Sequence, residues 1–175
     1  MEPSLTILPL SNAHRDVAAA LILPIQQMEF NVPITLADQP DLLDLEAAYF
    51  RPGGHFWGAF VEGELAGTIG LLAPAHSPAS LHADGSAPFG VIRKMFVKPQ
   101  FRGKPWGVAQ HLLEALIDHS RQSGMDHLYL GTISRMHAAH RFYEKNGFTR
   151  IAKQDLPATF PFMHVDDTFY QLHLL

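Results

Sequence analysis

Arg102, Gly103, Lys104, Pro105 and Gly107 crowd together between an apolar segment, "FGVIRKMFV", and an amphipathic one, "GVAQHLLEALIDHS". A helix that only packs needs a plain cap at its start. A helix N-terminus offers unpaired backbone N–H groups and the positive end of the helix dipole. Glycines let the backbone approach a ligand closely, and two cations add charge, so the turn has the makings of an anion site suited to phosphate. The same residues also serve an ordinary strand-to-helix connection. No Gly-Lys-[Ser/Thr] follows at P-loop spacing, and G-x-G-x-x-G is absent. A second chemical candidate is Tyr143, on a predicted amphipathic helix with Met136, Ala139 and His140. Its phenol can donate a proton or simply pack. His137 and His140, three apart, form either a pair or separate capped and exposed side chains.

Composition excludes several classes. Thirteen Lys and Arg against 17 Asp and Glu give a net charge of −4, without the basic excess of a nucleic-acid binder. The chain has no cysteine, which removes disulfides, thiolate metal sites and a cysteine nucleophile. Its 11 histidines show no HExxH or other ligand spacing, so no metal site is expected. The apolar run "VAAALILPI" is too short to span a bilayer and holds a proline, and "MEPSLTILPL" lacks the pattern of a signal peptide. A cytoplasmic protein is expected, with no membrane and no nucleic-acid partner.

The elements that must position the candidates read as follows. A strand is expected over 5–10 and a helix over 13–28, bent or ended by Pro24. "ADQPDLLDLEAAYF" predicts a second helix, with Pro40 just inside its start and Asp38 as the cap. "HFWGAFVEGELAGTIGLL" reads as an antiparallel hairpin turning at Glu62-Gly63-Glu64. Residues 73–88 lack periodicity and form a long loop. Then come the strand "FGVIRKMFV", a helix near 107–122, a strand "HLYLGT", a helix over 136–146, a strand near 148–153 and a closing strand "DTFYQLHLL". No internal repeat or linker appears, so residues 1–175 are expected to form one domain. The order implies an α/β or α+β sheet with one crossover.

"MFVKPQFRGKPWGVAQHLLEAL" resembles motif A of the GNAT acyltransferases, the acetyl-CoA-dependent N-acetyltransferase superfamily, whose Gln/Arg-x-x-Gly-x-Gly/Ala turn cradles a pyrophosphate. Without gaps from Arg102, the first glycine falls on Pro105, which has no N–H. With one extra turn residue, Gly107-Val108-Ala109 supplies the Gly-x-Ala, and Ala109, Leu112, Leu113, Leu116 and Ile117 form a buried stripe. That alignment is adopted, with Lys104 at the position of the family's Gln or Arg. "AAHRFYEKNGF" is similar to motif B, and "FVEGELAGTIGL" to the family's strand–turn–strand. The matches run from about residue 56 to 153. The tail "LPATFPFMHVDDTFYQLHL" resembles that of a bacterial subgroup.

The resemblance implies a mixed, mostly antiparallel twisted sheet with a splayed parallel strand pair, flanked by helices. It implies acetyl transfer from acetyl-CoA to the amine of a small molecule or amino acid, by direct attack in a ternary complex. Met95, Phe96 and Val97 would hold the pantetheine arm, with an N–H near Met95 as oxyanion donor. Arg102, Gly103, Lys104, Trp106, Gly107, Val108, Ala109 and Phe142 complete the implied cofactor site, and Tyr143 matches the tyrosine that faces the sulfur. Met136 stands where the family often has Asn, and Val91 where some members carry a basic Glu. Glu29, His76, His82, Asp84 or a water chain are then the candidate bases. A non-catalytic acyl-CoA sensor and a protein N-acetyltransferase are the alternatives, and a homodimer is a state the family often adopts.

Overall fold

The computed structural model describes residues 4–74 and 88–174. Among these residues seven strands form one sheet in the order β1-β2-β3-β4-β5-β7-β6. They are β1 (Leu5–Pro9), β2 (His55–Val61), β3 (Glu64–Leu72), β4 (Phe89–Val97), β5 (His127–Thr132), β6 (Thr149–Arg150) and β7 (Thr168–His173). Every pairing is antiparallel except β4 with β5. The helices are α1 (Arg15–Pro24), α2 (Val108–Gln122) and α3 (His137–Lys145). No helix among the described residues is long and apolar enough to cross a membrane.

Strand alternation divides the core. On β2, Trp57, Ala59 and Val61 face a cluster that includes Leu112, Leu113 and Leu116 of α2, while Phe56 faces Ala18, Leu21 and Ile22 of α1. The period-2 pattern therefore puts α1 and α2 on opposite faces of the sheet. The β2–β3 hairpin turns through Glu62 and Gly63, with φ of 51° and 81°, as a tight hairpin requires. Leu112 is fully buried in the α2 cluster. Leu112→Ala should therefore cost about 2–5 kcal/mol in chemical denaturation. A cost below about 1 kcal/mol would mean that this face is loosely packed.

Three predicted elements differ from the structure. The 13–28 helix ends as an α-helix at Pro24 and continues as one wider turn, Ile25–Glu29, because a proline has no N–H to keep the ladder. The predicted second helix is two single turns, Pro40–Leu42 and Glu46–Phe50. Its acids are drawn into other bonds: Asp38 accepts from Thr35, Asp44 from Asn12 and Ala47, and Asp41 from Tyr49 at 2.6 Å. Asp38 is thus not the cap expected of it. The 148–153 strand shrinks to Thr149–Arg150, after which a turn at Lys153–Asp155 takes over. Most of the predicted 73–88 loop lies outside the described residues.

Candidate active site

The parallel pair makes the site. β4 and β5 are paired only from Phe89↔His127 to Val91↔Tyr129. Beyond that point they diverge, and the β5-facing edge of β4 loses its partner while β5 stays paired to β7 through Thr132. The cause is local to β4. Lys94 adopts φ 54°, a left-handed conformation unusual for a non-glycine residue. The β3–β4 register slips across this point, between Thr68/Gly70, and the Thr68 hydroxyl donates to the Lys94 carbonyl at 2.7 Å. Such a bulge bends a strand and re-aims its groups, and bulges are common beside active sites.

Two clefts open from the wedge and share Met95, Phe96, Met136, Ala139 and Tyr143. One runs toward the start of α2 and is mainly apolar, with Val97, Arg102, Ala109 and Phe142 in its wall. The other lies between β4 and β5 and is more polar, with Gln26, Arg93, Lys94, Thr132 and Asp166. The apolar cleft thus unites Met95, Phe96, Val97, Arg102, Ala109, Phe142 and Tyr143, all expected at the cofactor site.

The turn before α2 fits an anionic group. Gly107 is the residue at the helix cap, in the left-handed region with φ 60°, and among the described residues no side chain caps the helix start. The amides of Val108, Ala109 and Gln110 therefore have no intrahelical acceptor. Gly107 N–H donates to Gly103 O, which closes the turn, and Gly103 is also left-handed with φ 73°. Lys104 is exposed, and among the described residues the buried indole N–H of Trp106 has no acceptor. Val108, Leu112, Leu113 and Leu116 are buried, while Ala109 and Ile117 are half-buried.

Arg102 donates to Val97 O at 2.9 Å and to both carboxylate oxygens of Glu29, at 2.7 and 2.8 Å. Glu29 is therefore committed to the turn and does not line the polar cleft, which corrects its reading as a candidate base. The Arg102 hydrogen bond holds its carboxyl below the ordinary value of 4.5. Sign follows: the pair stabilises the fold above that unfolded value and fades as pH falls through the lower folded one. Because both side chains are partly solvated, Glu29→Ala should cost less than about 1 kcal/mol at neutral pH. The difference should shrink steadily as the denaturation is repeated at pH values falling below 4.5, and a loss that does not shrink would place the effect elsewhere.

Tyr143 is 5% exposed, on the inner face of α3, and among the described residues its hydroxyl has no hydrogen-bond partner. Burial pushes its phenol well above the ordinary value, so it remains protonated across the neutral range. Its ring packs on Phe142, Phe148 and Tyr170. His140 is buried and bonds to Ile133 O at 3.0 Å, whereas His137 is exposed. The two rings still meet edge-on, with centroids 6.1 Å apart. Met136 occupies the α3 cap position without a capping bond, and Val91 is wholly buried in core packing. His76, His82 and Asp84 lie outside the described residues. Among the described residues no His, Asp and Glu group could hold a metal ion.

Two features of the polar cleft were missed in the sequence. Lys94 is buried and ion-paired with Asp41 at 3.3 Å. Asp166 sits in the wall opposite β4, where burial raises its carboxyl to about 6 against the counter-effect of Arg93 and Lys94. "HVDD" has no periodicity or motif that would mark one of its acids.

A strand wedge, a bulge and an uncapped glycine turn at a helix start thus meet on one side of the sheet, and likeness to known proteins gives the class of the chain. Residues 21–148 match the model of the Acetyltransferase (GNAT) family. The chain belongs to that family, whose class is acetyl-CoA-dependent acyl transfer. It is 31% identical over 116 residues to an N-acetylaspartate synthetase of Danio rerio, covering 66% of this chain and 37% of that one. It is also 31% identical over 117 residues to the uncharacterized N-acetyltransferase YjgM of Escherichia coli (strain K12), covering 67% and 64%. The chain thus spans less than two thirds of these curated relatives. A crystal structure of a GNAT-family acetyltransferase from Staphylococcus aureus Mu50 superposes with a TM-score of 0.87 at 33% identity, covering 98% of this chain and 100% of that one.

Proposed function

We propose that the protein is an N-acetyltransferase that moves an acetyl group from acetyl-CoA to the amine of a small molecule or amino acid. The observation that carries this is the meeting of two clefts, one apolar and one polar, at Met95 and Tyr143. Acetyl-CoA supplies an activated thioester. The α2-start amides, Arg102 and Lys104 receive its pyrophosphate, and the Gly103 and Gly107 turns let the backbone approach. The free edge of β4 at Met95 and Val97 holds the pantetheine arm, with Phe96, Trp106 and Phe142 as apolar walls. A Met95 N–H serves as oxyanion donor, and Tyr143, protonated and without a hydrogen-bond partner among the described residues, donates to the departing sulfur.

The amine enters the polar cleft between β4 and β5 and attacks directly, with both substrates bound. Arg93 in that cleft favours an acceptor that carries a carboxylate, and the N-acetylaspartate synthetase relative supports an amino acid. Residues 1–175 act as one domain in the cytoplasm, and a homodimer is the proposed assembly. The test is acetyl-CoA-dependent thiol release across a panel of small amines, amino acids and peptides. Release with a small amine and no protein partner supports the reading. CoA binding without turnover on any amine would turn it into an acyl-CoA sensor, and turnover on peptides alone into a protein acetyltransferase.

A further inference from the structure

Asp166 is a charged side chain that the acetyl-transfer reading leaves without a use. It lines the polar cleft together with Met95 and Tyr143. Its carboxylate lies against Gly131 of β5, where a Cβ would come within 2.5 Å of Oδ2. A glycine in the strand therefore makes room for this carboxylate. The turn that carries it is fastened from both sides. Asp166 N–H donates to Met163 O at 3.1 Å and Asp167 N–H to Thr132 O at 3.0 Å. The Asp167 carboxylate accepts from Ser134 N–H at 2.7 Å and from its hydroxyl at 3.1 Å. Among the described residues the Asp166 carboxylate itself accepts no hydrogen bond and makes no ion pair. A half-buried acid that is held in place on the cleft wall, with no protein partner among the described residues, is open to a ligand in that cleft.

We propose that Asp166 is the general base that takes the proton of the acceptor, a primary amine arriving in its ammonium form beside Gly131. This rests on the acetyl-transfer reading and supplies the base that Val91, in place of a glutamate, does not. The ammonium gives a proton to Asp166, which releases it to solvent. The neutral nitrogen then forms the N–C bond, the C–S bond breaks with its electron pair going to sulfur, and the second nitrogen proton leaves by the same route. Tyr143 protonates the sulfur and is reprotonated by solvent, so one proton is released overall.

The charged surroundings suit the role. Burial disfavours the carboxylate, Arg93 and Lys94 from β4 and His164 from its own segment favour it, and Asp167 opposes it. Arg150 and Lys153 border a shallow recess on its other side. The balance near 6 leaves the group mainly ionised at neutral pH and still basic enough to accept a proton. The sign for stability is the reverse of an ordinary ion pair. The folded state favours the protonated acid, so ionisation destabilises the fold as pH rises from the unfolded value toward 6 and the cost persists above.

The experiment compares wild type, Asp166→Asn and Asp166→Glu in calorimetric titration with CoA, in melting at pH 7, and in thiol release from acetyl-CoA between pH 5 and 9. Release is measured with a mixture of the protein L-amino acids and with water alone as acceptor. Asp166→Asn should bind CoA within about threefold of wild type, melt no lower, and release thiol about 10²-fold more slowly or worse. The wild-type acid limb near pH 6 should vanish with it and return, shifted, in Asp166→Glu. Release within threefold of wild type with the acid limb intact overturns the assignment. If the Asn variant does not fold, an Asp166→Glu profile without an acid limb overturns it as well. Wild type that binds CoA but releases no thiol removes the need for a base and counts against it. Wild type that fails to bind CoA brings down the acetyl-transfer reading itself.

Discussion

Tyr143→Phe is expected to lower kcat about 10²-fold or more while acetyl-CoA affinity stays nearly constant. The ring contacts with Phe142, Phe148 and Tyr170 survive the change, so packing is retained. Among the described residues no partner is left unsatisfied when the hydroxyl goes, so stability should move by less than about 0.5 kcal/mol. What disappears is the proton for the departing sulfur. A thiolate whose acid has a pKa near 8.5 is stabilised by a phenol that burial keeps protonated. Steady-state kinetics and a melting curve check both parts. A variant that loses affinity but keeps its kcat would make Tyr143 a wall of the cleft. A variant unchanged in both would make it a core residue.

Gly107→Val is expected to weaken CoA binding tenfold or more. The protein itself leaves room for a Cβ, whose nearest neighbour would be His111 Nδ1 at 3.5 Å. The obstacle is the φ of 60°, which costs a non-glycine residue about 1–2 kcal/mol, and more when it is β-branched. The added side chain also crowds the approach to the Val108–Gln110 amides. Gly107→Ala should therefore share most of the stability loss but less of the affinity loss. Calorimetric titration of both variants separates the two effects. Equal affinity in wild type and the Val variant, with the fold intact, would remove this turn from the pyrophosphate site.

The elements around the cofactor turn were legible because their signals are local. The stripe Leu112, Leu113 and Leu116 fixes the phase of α2, and the structure starts that helix directly after Gly107. Glu62-Gly63 announces its hairpin, and the β4 and β5 runs read as strands without ambiguity. The divergence of β4 from β5 was legible only through the family resemblance. No propensity marks Lys94 for a left-handed φ, and the Thr68 hydroxyl that braces it comes from another strand. The segment 39–50 failed for the opposite reason. Its helical spacing was real, but Asp41 and Asp44 take the distant partners Lys94 and Asn12, and Tyr49 donates to Asp41, which together outweigh local preference.

The site divides along the same line. Arg102, Ala109, Phe142 and Tyr143 could be named because their motifs are short and contiguous, and the apolar cleft collects them. Glu29, one of several candidate bases in the sequence, takes its partner from Arg102, which lies far along the chain and donates to both of its oxygens, a pairing that no local signal announces. Asp166 was passed over because its environment is built by Gly131 and β4, not by its neighbours in sequence.

The most direct test of acetyl transfer to an amine uses acetyl-CoA labelled with carbon-13 in the acetyl group, incubated with the purified protein and a pooled set of small amines and amino acids. Mass spectrometry of the pool should show the labelled acetyl group bound to the nitrogen of a small-molecule acceptor, in step with thiol release and strongly reduced in Tyr143→Phe. Label found only as free acetate, or left entirely on CoA, would contradict the account.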